Sequence, residues 1–327
     1  MNRKVLLPVV LVAVFALSLV PRAQTVIHEE SFLPPNNLSI PIGSQDDKGI
    51  TKPQFEAVMD QIQAIYGPVV AARGGKLVIN RLWSDNTVNA SAQRNGNNYV
   101  LNMYGGLARH ESITQDGMAL VACHEMGHHI GGAPKYARMD WASNEGQADY
   151  FANLKCLRIL FAREGAQSFS RAALDDAQPR AACAQAYVSP AEQAICVRTA
   201  VAGMSVTTLL RILRNETVLP RYDTPDPKVV AKMDDNHPAT QCRLDTYFSA
   251  SLCARPVGDA LDEKAPAPGT CTRSQGYTTG LRPRCWYKPP ANEPVGMSDT
   301  LAVRSSMIPK NTETVSALNR PDLWKGL

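Results

Sequence analysis

The spacing of apolar residues predicts a helix near the start of the chain. From residue 53 they recur at intervals of three and four, which places them on one face of a helix. This stripe consists of Phe55, Val58, Met59, Ile62 and Ile65. Gly67-Pro68 is expected to interrupt the helix, because proline lacks an amide hydrogen. Residues 24–52 are mostly polar and are predicted to form an extended lead-in.

A group of short strands is predicted next. Residues 76–83 are rich in strand-forming residues, and a short strand over 87–92 and another over 99–104 are predicted to follow. Asn95-Gly96-Asn97-Asn98 separates the last two and is typical of a tight hairpin turn. Gly105-Gly106 closes this region, so we expect a small sheet between helical segments.

Helices are predicted for most of the following sequence. One is expected over residues 113–130, ended by Gly131-Gly132, and another from an N-cap at Ser143 to about residue 164. A third covers residues 191–214, whose apolar part, 199–210, is too short to cross a membrane. The order predicts an α+β fold that is mostly helical with a small β-sheet.

The chain ends differ in composition from the rest. Arg3 and Lys4 precede the apolar residues 5–20, a pattern typical of a secretory signal peptide covering residues 1–23. An uncleaved membrane anchor is the alternative, although the run is shorter than the ~20 residues that a span prefers. We therefore predict a main domain over residues 24–253 and a proline- and cysteine-rich segment over 254–327. The expected location is periplasmic or extracellular, with no membrane span after signal removal.

The even number of cysteines favours disulfides in an oxidising compartment. The chain has eight cysteines and no Cys-x-x-Cys pair. Cys183–Cys196 and Cys271–Cys285 are the predicted local pairs, and Cys123 is the candidate for a buried free thiol. The formal net charge of +4 falls to +1 without residues 1–23, which contain Arg3, Lys4 and Arg22 and no acidic residue. Such a balance gives no electrostatic signature of nucleic-acid binding.

The chemistry is concentrated in His124-Glu125-Met126-Gly127-His128. Two histidines four residues apart lie one turn above each other on a helix, so both can reach one Zn²⁺ at about 2.0–2.1 Å. Glu125 points away from that line and is expected to be the general base for a metal-bound water. Two incidental histidines on a surface helix are the alternative. His129 points elsewhere and is predicted to be structural.

A catalytic zinc needs a third protein ligand. Glu145 begins the next predicted helix, and Asp149 follows one turn later on the same face. Glu145 is therefore the predicted third ligand, and Asp149 the carboxylate that orients a ligand histidine. An exposed acidic helix face is the alternative for both residues.

These motifs resemble the M48 family of zinc metallopeptidases, which combine His-Glu-x-x-His with a later Glu-x-x-x-Asp. The resemblance covers roughly residues 55–250. Residues 88–92 resemble the strand beside the family's cleft, and 99–107 the next strand and turn. The gap between His128 and Glu145 is shorter than in most members, and the segment after residue 254 has no counterpart in the family.

His237-Pro238 and Arg243 resemble the family's downstream histidine and arginine. The resemblance implies that His237 faces the metal and that Arg243 lies near the developing oxyanion. Taken alone, the first is a loop histidine and the second a surface cation. His237 has two alternative roles in this scheme: an oxyanion donor, or a ligand that blocks the open zinc position.

Together these residues predict a secreted zinc endopeptidase with a zincin-type core and one catalytic Zn²⁺. Its partner would be a protein or peptide substrate, bound by addition to an open strand edge around residues 88–92. The alternative is a zinc-binding module, chaperone-like and without cleavage activity. A disulfide-built structural protein with a fortuitous motif would bind no metal.

Overall fold

A small mixed sheet packs against helices in this protein, and the predicted α+β fold is confirmed. The structure, a computed structural model, describes residues 29–165, 176–291 and 293. The predicted signal peptide, residues 1–23, and the chain after residue 293 lie outside this range. The domain boundaries at 24–253 and 254–327 stay predictions.

The sheet contains one strand from the predicted lead-in and three from the predicted strand region. In chain order the strands are β1 (Glu29–Ser31), β2 (Lys76–Leu82), β3 (Ala90–Asn95) and β4 (Asn98–Tyr104). They are arranged β1-β3-β4-β2, with β2 parallel to β4 and β3 antiparallel to both of its neighbours. The predicted hairpin turn between β3 and β4 is confirmed, and Gly96 takes a left-handed φ of 56° there.

The described chain also contains eight α-helices. They are α1 (Lys52–Ala72), α2 (Gly105–Arg109), α3 (Gln115–Ile130), α4 (Glu145–Phe151), α5 (Leu157–Glu164), α6 (Ala177–Ala186), α7 (Pro190–Leu213) and α8 (Thr240–Ser251). A π-helical turn, Ala152–Cys156, joins α4 to α5 without a break. The main core lies between the sheet, α1, α3, α5 and α7.

The predicted interruption of α1 at Gly67-Pro68 is wrong. The helix continues to Ala72 with Pro68 inside it. Gly67 has no Cβ to clash with the proline ring, so the helical conformation before Pro68 is less disfavoured. Val69 and Val70 beyond it are buried in the core, and their burial offsets the lost hydrogen bond.

Within the predicted extended lead-in, residues 29–31 form a strand, β1, on the outer side of β3. The predicted open edge near residues 88–92 is therefore wrong. Glu30 lies opposite Ala92 and Ser31 opposite Ser91, and the Phe32 amide donates to the Ala90 carbonyl at 2.9 Å. The strand predicted over 87–92 begins only at Ala90.

Four disulfides connect all eight cysteines. The predicted Cys183–Cys196 pair is confirmed. The predicted Cys271–Cys285 pair is wrong, because the structure pairs Cys253 with Cys271 and Cys242 with Cys285. Cys123 is not a free thiol either, since it pairs with Cys156 in the π-helical turn. Four disulfides indicate an oxidising environment.

The segment after residue 254 packs against α4. The indole of Trp286 occupies the space that a side chain at Gly146 would need, with its Cδ2 only 2.1 Å from the position of that Cβ. Arg282 Nε donates to Gln147 Oε1 at 2.7 Å. The cystine-tied segment therefore helps to hold α4 in place.

Helix α7 is long and apolar enough to cross a membrane by length and composition alone. Most of its residues are buried among its neighbours: 67% of its most apolar window lies inside the protein. It packs against α3, α5, α6 and α8.

Candidate metal centre

Helix α3 carries the two predicted histidine ligands. Thr114 caps its first turn, where the side-chain oxygen accepts from the Gly117 amide at 3.0 Å. The helix runs through the core, so His124 and His128 are buried one turn apart. Their ring centroids are 4.7 Å apart and their planes are nearly perpendicular.

Helix α4 brings the predicted carboxylates to these histidines. It begins at Glu145 behind Asn144, whose side chain accepts from the Gln147 amide at 3.1 Å, so the predicted N-cap at Ser143 is wrong by one residue. The two helices approach closely at Gly127, where an added Cβ would lie 2.9 Å from the Cα and carbonyl oxygen of Ala148. This close approach explains the glycine in the motif.

One carboxylate and two imidazoles converge. His124, His128 and Glu145 offer ligand atoms that all lie within 4.8 Å of one another. Nε2 of His124 is 3.5 Å from Glu145 Oε2, and Nε2 of His128 is 3.6 Å from Glu145 Oε1. Ligand atoms about 2.0–2.1 Å from a tetrahedral metal are about 3.3–3.4 Å apart, so these separations suit one ion.

Three of these atoms lack hydrogen-bond partners among the described residues. His124 Nε2, His128 Nε2 and Glu145 Oε2 are buried without a hydrogen bond there, and so are both oxygens of Glu125. Buried polar atoms are costly unless they are paired. A metal ion held by the first three, with a water beside Glu125, would satisfy them. The residues present therefore fit a metal ion.

The hydrogen bonds on Nδ1 leave both Nε2 atoms available as ligands. His124 Nδ1 donates to Asp149 Oδ1 at 2.7 Å, and His128 Nδ1 donates to the Ser143 carbonyl at 2.8 Å. Burial lowers the pKa of each imidazole to about 4. Both rings are therefore neutral near pH 7, which is the form that binds a metal.

Asp149 is the centre of a buried polar cluster. Burial alone would raise the pKa of its carboxyl group, but Arg243 and His124 hold it well below its usual range. Its Oδ1 accepts from Arg243 Nη2 at 2.6 Å and from the Tyr247 hydroxyl at 2.6 Å, in addition to His124. The exposed acidic face considered as an alternative does not exist, because Glu145 and Asp149 are both fully buried.

Glu125 lies in the same buried region as the three ligand residues. Its carboxyl group is fully buried, and burial, followed by the nearby Glu145, raises its pKa well above the usual value. A carboxylate with a raised pKa is a more effective proton acceptor near neutral pH.

His237 and Arg243 both reach this region from the far part of the chain. His237 Nε2 is 3.6 Å from Glu145 Oε2, and it donates to the Ser31 carbonyl at 2.6 Å. Arg243 is wholly buried, so it is not a surface cation. Its guanidinium hydrogen bonds to Asp149, which also hydrogen bonds to His124. His129 lies apart, accepting from Arg94 Nε and donating to the Val100 carbonyl.

Two tyrosines that the sequence did not single out also contact the site. The Tyr136 hydroxyl donates to Glu145 Oε1 at 2.8 Å, and the Tyr247 hydroxyl donates to Asp149. Tyr247 is four residues after Arg243 on α8, and that spacing is a signal that could have found it. Tyr136 stands in the loop between α3 and α4, where no periodicity identifies it.

Comparisons with protein-family models, with curated proteins and with solved structures found no match. The site is a buried group of His124, His128 and Glu145 that could hold a metal ion, with Glu125 next to the first histidine.

Proposed function

We propose that this chain is a zinc-dependent endopeptidase, similar to the M48 family, that hydrolyses peptide bonds without a covalent intermediate. The observation that carries the proposal is the set of buried, unpaired atoms: the two histidine Nε2 atoms, Glu145 Oε2 and the Glu125 carboxylate. The disulfides support export, and we propose a periplasmic or extracellular location.

His124, His128 and Glu145 would hold the metal. Two imidazole nitrogens and one carboxylate oxygen are a donor set that suits Zn²⁺ and leaves a fourth position for water or substrate. Bound zinc would lower the pKa of a water and polarise the substrate carbonyl.

Glu125 would accept the proton of that water and pass it to the leaving amine. No other residue in the described part of the chain hydrogen bonds to its carboxylate, so no such contact has to be broken before it can act.

His237 would donate a hydrogen bond to the oxygen of the reacting carbonyl. Its Nε2–H already donates to a backbone carbonyl, that of Ser31, at a position 3.6 Å from Glu145 Oε2. A donor in this position can stabilise negative charge as it develops on a carbonyl oxygen. Arg243 is a positioning residue, because its contacts reach His124 through Asp149.

One observation favours the alternative, a zinc-binding module that does not cleave. The edge of β3, where an extended substrate would pair, is covered by β1. If β1 covered this edge permanently, His124, His128 and Glu145, here called the metal group, would remain intact. An extended substrate could not pair with β3.

The test combines metal analysis with hydrolysis of a peptide library, with and without a chelator. We expect about one zinc per chain and cleavage that the chelator stops. Glu125→Gln should keep the zinc and lose about 10²–10⁴-fold in turnover, whereas Glu111→Gln, at an exposed glutamate on the loop before α3, should change neither. Absence of bound metal, or full turnover in Glu125→Gln, would contradict the proposal.

A further inference from the structure

Residues 29–33, here called the strap, cover the edge of β3 in the manner of a bound peptide. The strap runs antiparallel to β3, with Glu29 opposite Gln93 and Ser31 opposite Ser91. The Phe32 amide donates to the Ala90 carbonyl at 2.9 Å. Edge addition of this kind is a general way for proteins to hold extended peptides.

The backbone of the strap also accepts hydrogen bonds from His237 and Arg243, which lie far from it in the sequence. The Ser31 carbonyl accepts from His237 Nε2 at 2.6 Å, and the Phe32 carbonyl accepts from Arg243 Nη1 at 2.8 Å. His237 is close to Glu145, so the Ser31 carbonyl lies next to the metal group. His237 and Arg243 thus donate to consecutive carbonyls of the strap backbone.

Two strap side chains fill places beside the metal group. The Phe32 ring is wholly buried, with its centroid 4.9 Å from that of His124 and with the Arg243 guanidinium 4.5 Å above it. Glu30 is 7% exposed, and its Oε1 accepts from Arg138 Nη2 at 3.3 Å. The surroundings of the strap therefore accommodate an acidic side chain at residue 30 and a large aromatic side chain at residue 32.

We propose that the β3 edge is a peptide-binding groove, that the strap occupies it as an internal ligand, and that its release admits extended peptides with the pattern Glu-x-Phe. The inference rests on the proposed function for its consequence, since an occupied groove closes a peptidase. The binding event itself depends only on the groove, and it can be measured without hydrolysis.

The strap is covalently attached, so it competes at an effective concentration of the order of mM. A free peptide of the same sequence therefore binds poorly until the strap is released. The probe is a fluorescein-labelled peptide with the sequence of residues 29–35, Glu-Glu-Ser-Phe-Leu-Pro-Pro, read by fluorescence anisotropy. A peptide with alanine in place of its phenylalanine is the matched control.

Release is produced by cutting the chain. A recognition sequence for a specific protease is inserted after Pro35, an exposed loop position, and the cut protein is separated from the released segment. We expect the cut protein to bind the probe at least tenfold more tightly than the uncut protein, and to bind the alanine peptide at least tenfold more weakly than the probe. Peptide hydrolysis should rise in parallel.

Closure is produced by a cross-link. Glu29 and Gln93 are directly opposed, and the Phe32–Ala90 hydrogen bond makes theirs a non-hydrogen-bonded pair, whose Cα atoms are typically about 4.5 Å apart. Glu29→Cys with Gln93→Cys can therefore form a disulfide. The oxidised variant should bind no probe, and mild reduction should restore the binding of the uncut protein, because the native cysteines are at most 3% exposed.

The outcomes separate the two proposals. Equal probe binding by cut, uncut and cross-linked proteins would overturn the strap inference, whatever the zinc content. Probe binding that follows release in a protein that holds no zinc or cleaves nothing would overturn the proposed function and keep the strap. Circular dichroism shows whether the cut protein stays folded. If it does not, the strap inference is decided by comparing probe binding to the oxidised and the reduced form of the cross-linked variant.

Discussion

The Arg243 guanidinium grips the Asp149 carboxylate with two hydrogen bonds, from Nε to Oδ2 at 2.8 Å and from Nη2 to Oδ1 at 2.6 Å. Both side chains are wholly buried. Because Asp149 Oδ1 also accepts from His124 Nδ1, the pair stands directly behind a proposed metal ligand. Arg243 lies on α8 and Asp149 orients His124. The pair therefore couples the packing of α8 to the orientation of His124.

Replacing Arg243 should therefore destabilise the fold. Arg243→Met would leave a buried carboxylate with an uncompensated charge, which typically costs about 3–5 kcal/mol. Urea unfolding followed by circular dichroism measures the change. Arg221→Met is the control, because Arg221 makes a similar two-bond contact with Asp223 at the surface. A similar loss of unfolding free energy in both variants would show that burial of the Arg243–Asp149 pair does not determine the cost.

The two acidic residues of α4 should differ in their effect on metal binding. Glu145→Ala removes a proposed ligand and should abolish stoichiometric zinc binding. Asp149→Asn keeps the side-chain volume but weakens the hydrogen bond to His124, and should lower affinity by about 10–100-fold. Zinc titration against a competing chelator measures both. Full occupancy in Glu145→Ala would show that another carboxylate is the ligand.

The alternative roles of His237 predict opposite results. As a donor to the reacting carbonyl, His237→Ala should lower turnover by about 10²–10³-fold with zinc retained. We expect this result, because Nε2 donates to a carbonyl oxygen in the structure. The measurement uses protein cut after Pro35, at equal zinc content. A rise in turnover would instead identify His237 as a blocking ligand.

The disulfides should contribute according to the loops they close. Cys123–Cys156 spans 33 residues and Cys183–Cys196 spans 13. The entropy of the unfolded chain predicts losses of about 4 and about 3 kcal/mol when each pair is replaced by alanines. Thiol labelling of unreduced, unfolded protein should find no reactive cysteine. A reactive thiol at Cys123 would contradict this pairing.

Asp245 should make stability fall as pH rises. Burial raises the pKa of its carboxyl group from 3.8 to about 7, although the Asp226 amide and Gln241 donate to it. Between these values the folded protein holds a proton that the unfolded chain has lost. The free energy of unfolding should therefore decrease from pH 4 to pH 7, with a slope of at most about 1.4 kcal/mol per pH unit. The slope should flatten in Asp245→Asn.

Local patterns in the sequence were sufficient to predict the helices that carry the metal group. Helix α3 and the start of α4 follow from apolar spacing and glycine positions, and the four-residue interval between His124 and His128 fixes their shared face. Gly127, between the two histidines, lies where the backbone of Ala148 approaches α3. These features depend on residues within a few turns of one another.

Features that depend on distant residues were not predictable in this way. The strap contains only five residues, and its place is determined by β3, His237 and Arg243. The Cys242–Cys285 pairing spans 43 residues and depends on how the last segment packs against α4 and α8. Tyr136 reaches Glu145 from a loop, and a single tyrosine in a loop gives no signal before the fold is known.

The Cys123–Cys156 bond has a further consequence for the order of events in the life of the chain. Cys123 immediately precedes His124, and the bond fastens α3 to the turn that follows α4. In a reducing compartment both sulfurs would stay as thiols, and the two helices of the proposed metal site would lack this connection. We expect oxidation to come before tight metal capture. The site proposed for zinc would then be complete only after Cys123 and Cys156 have been oxidised.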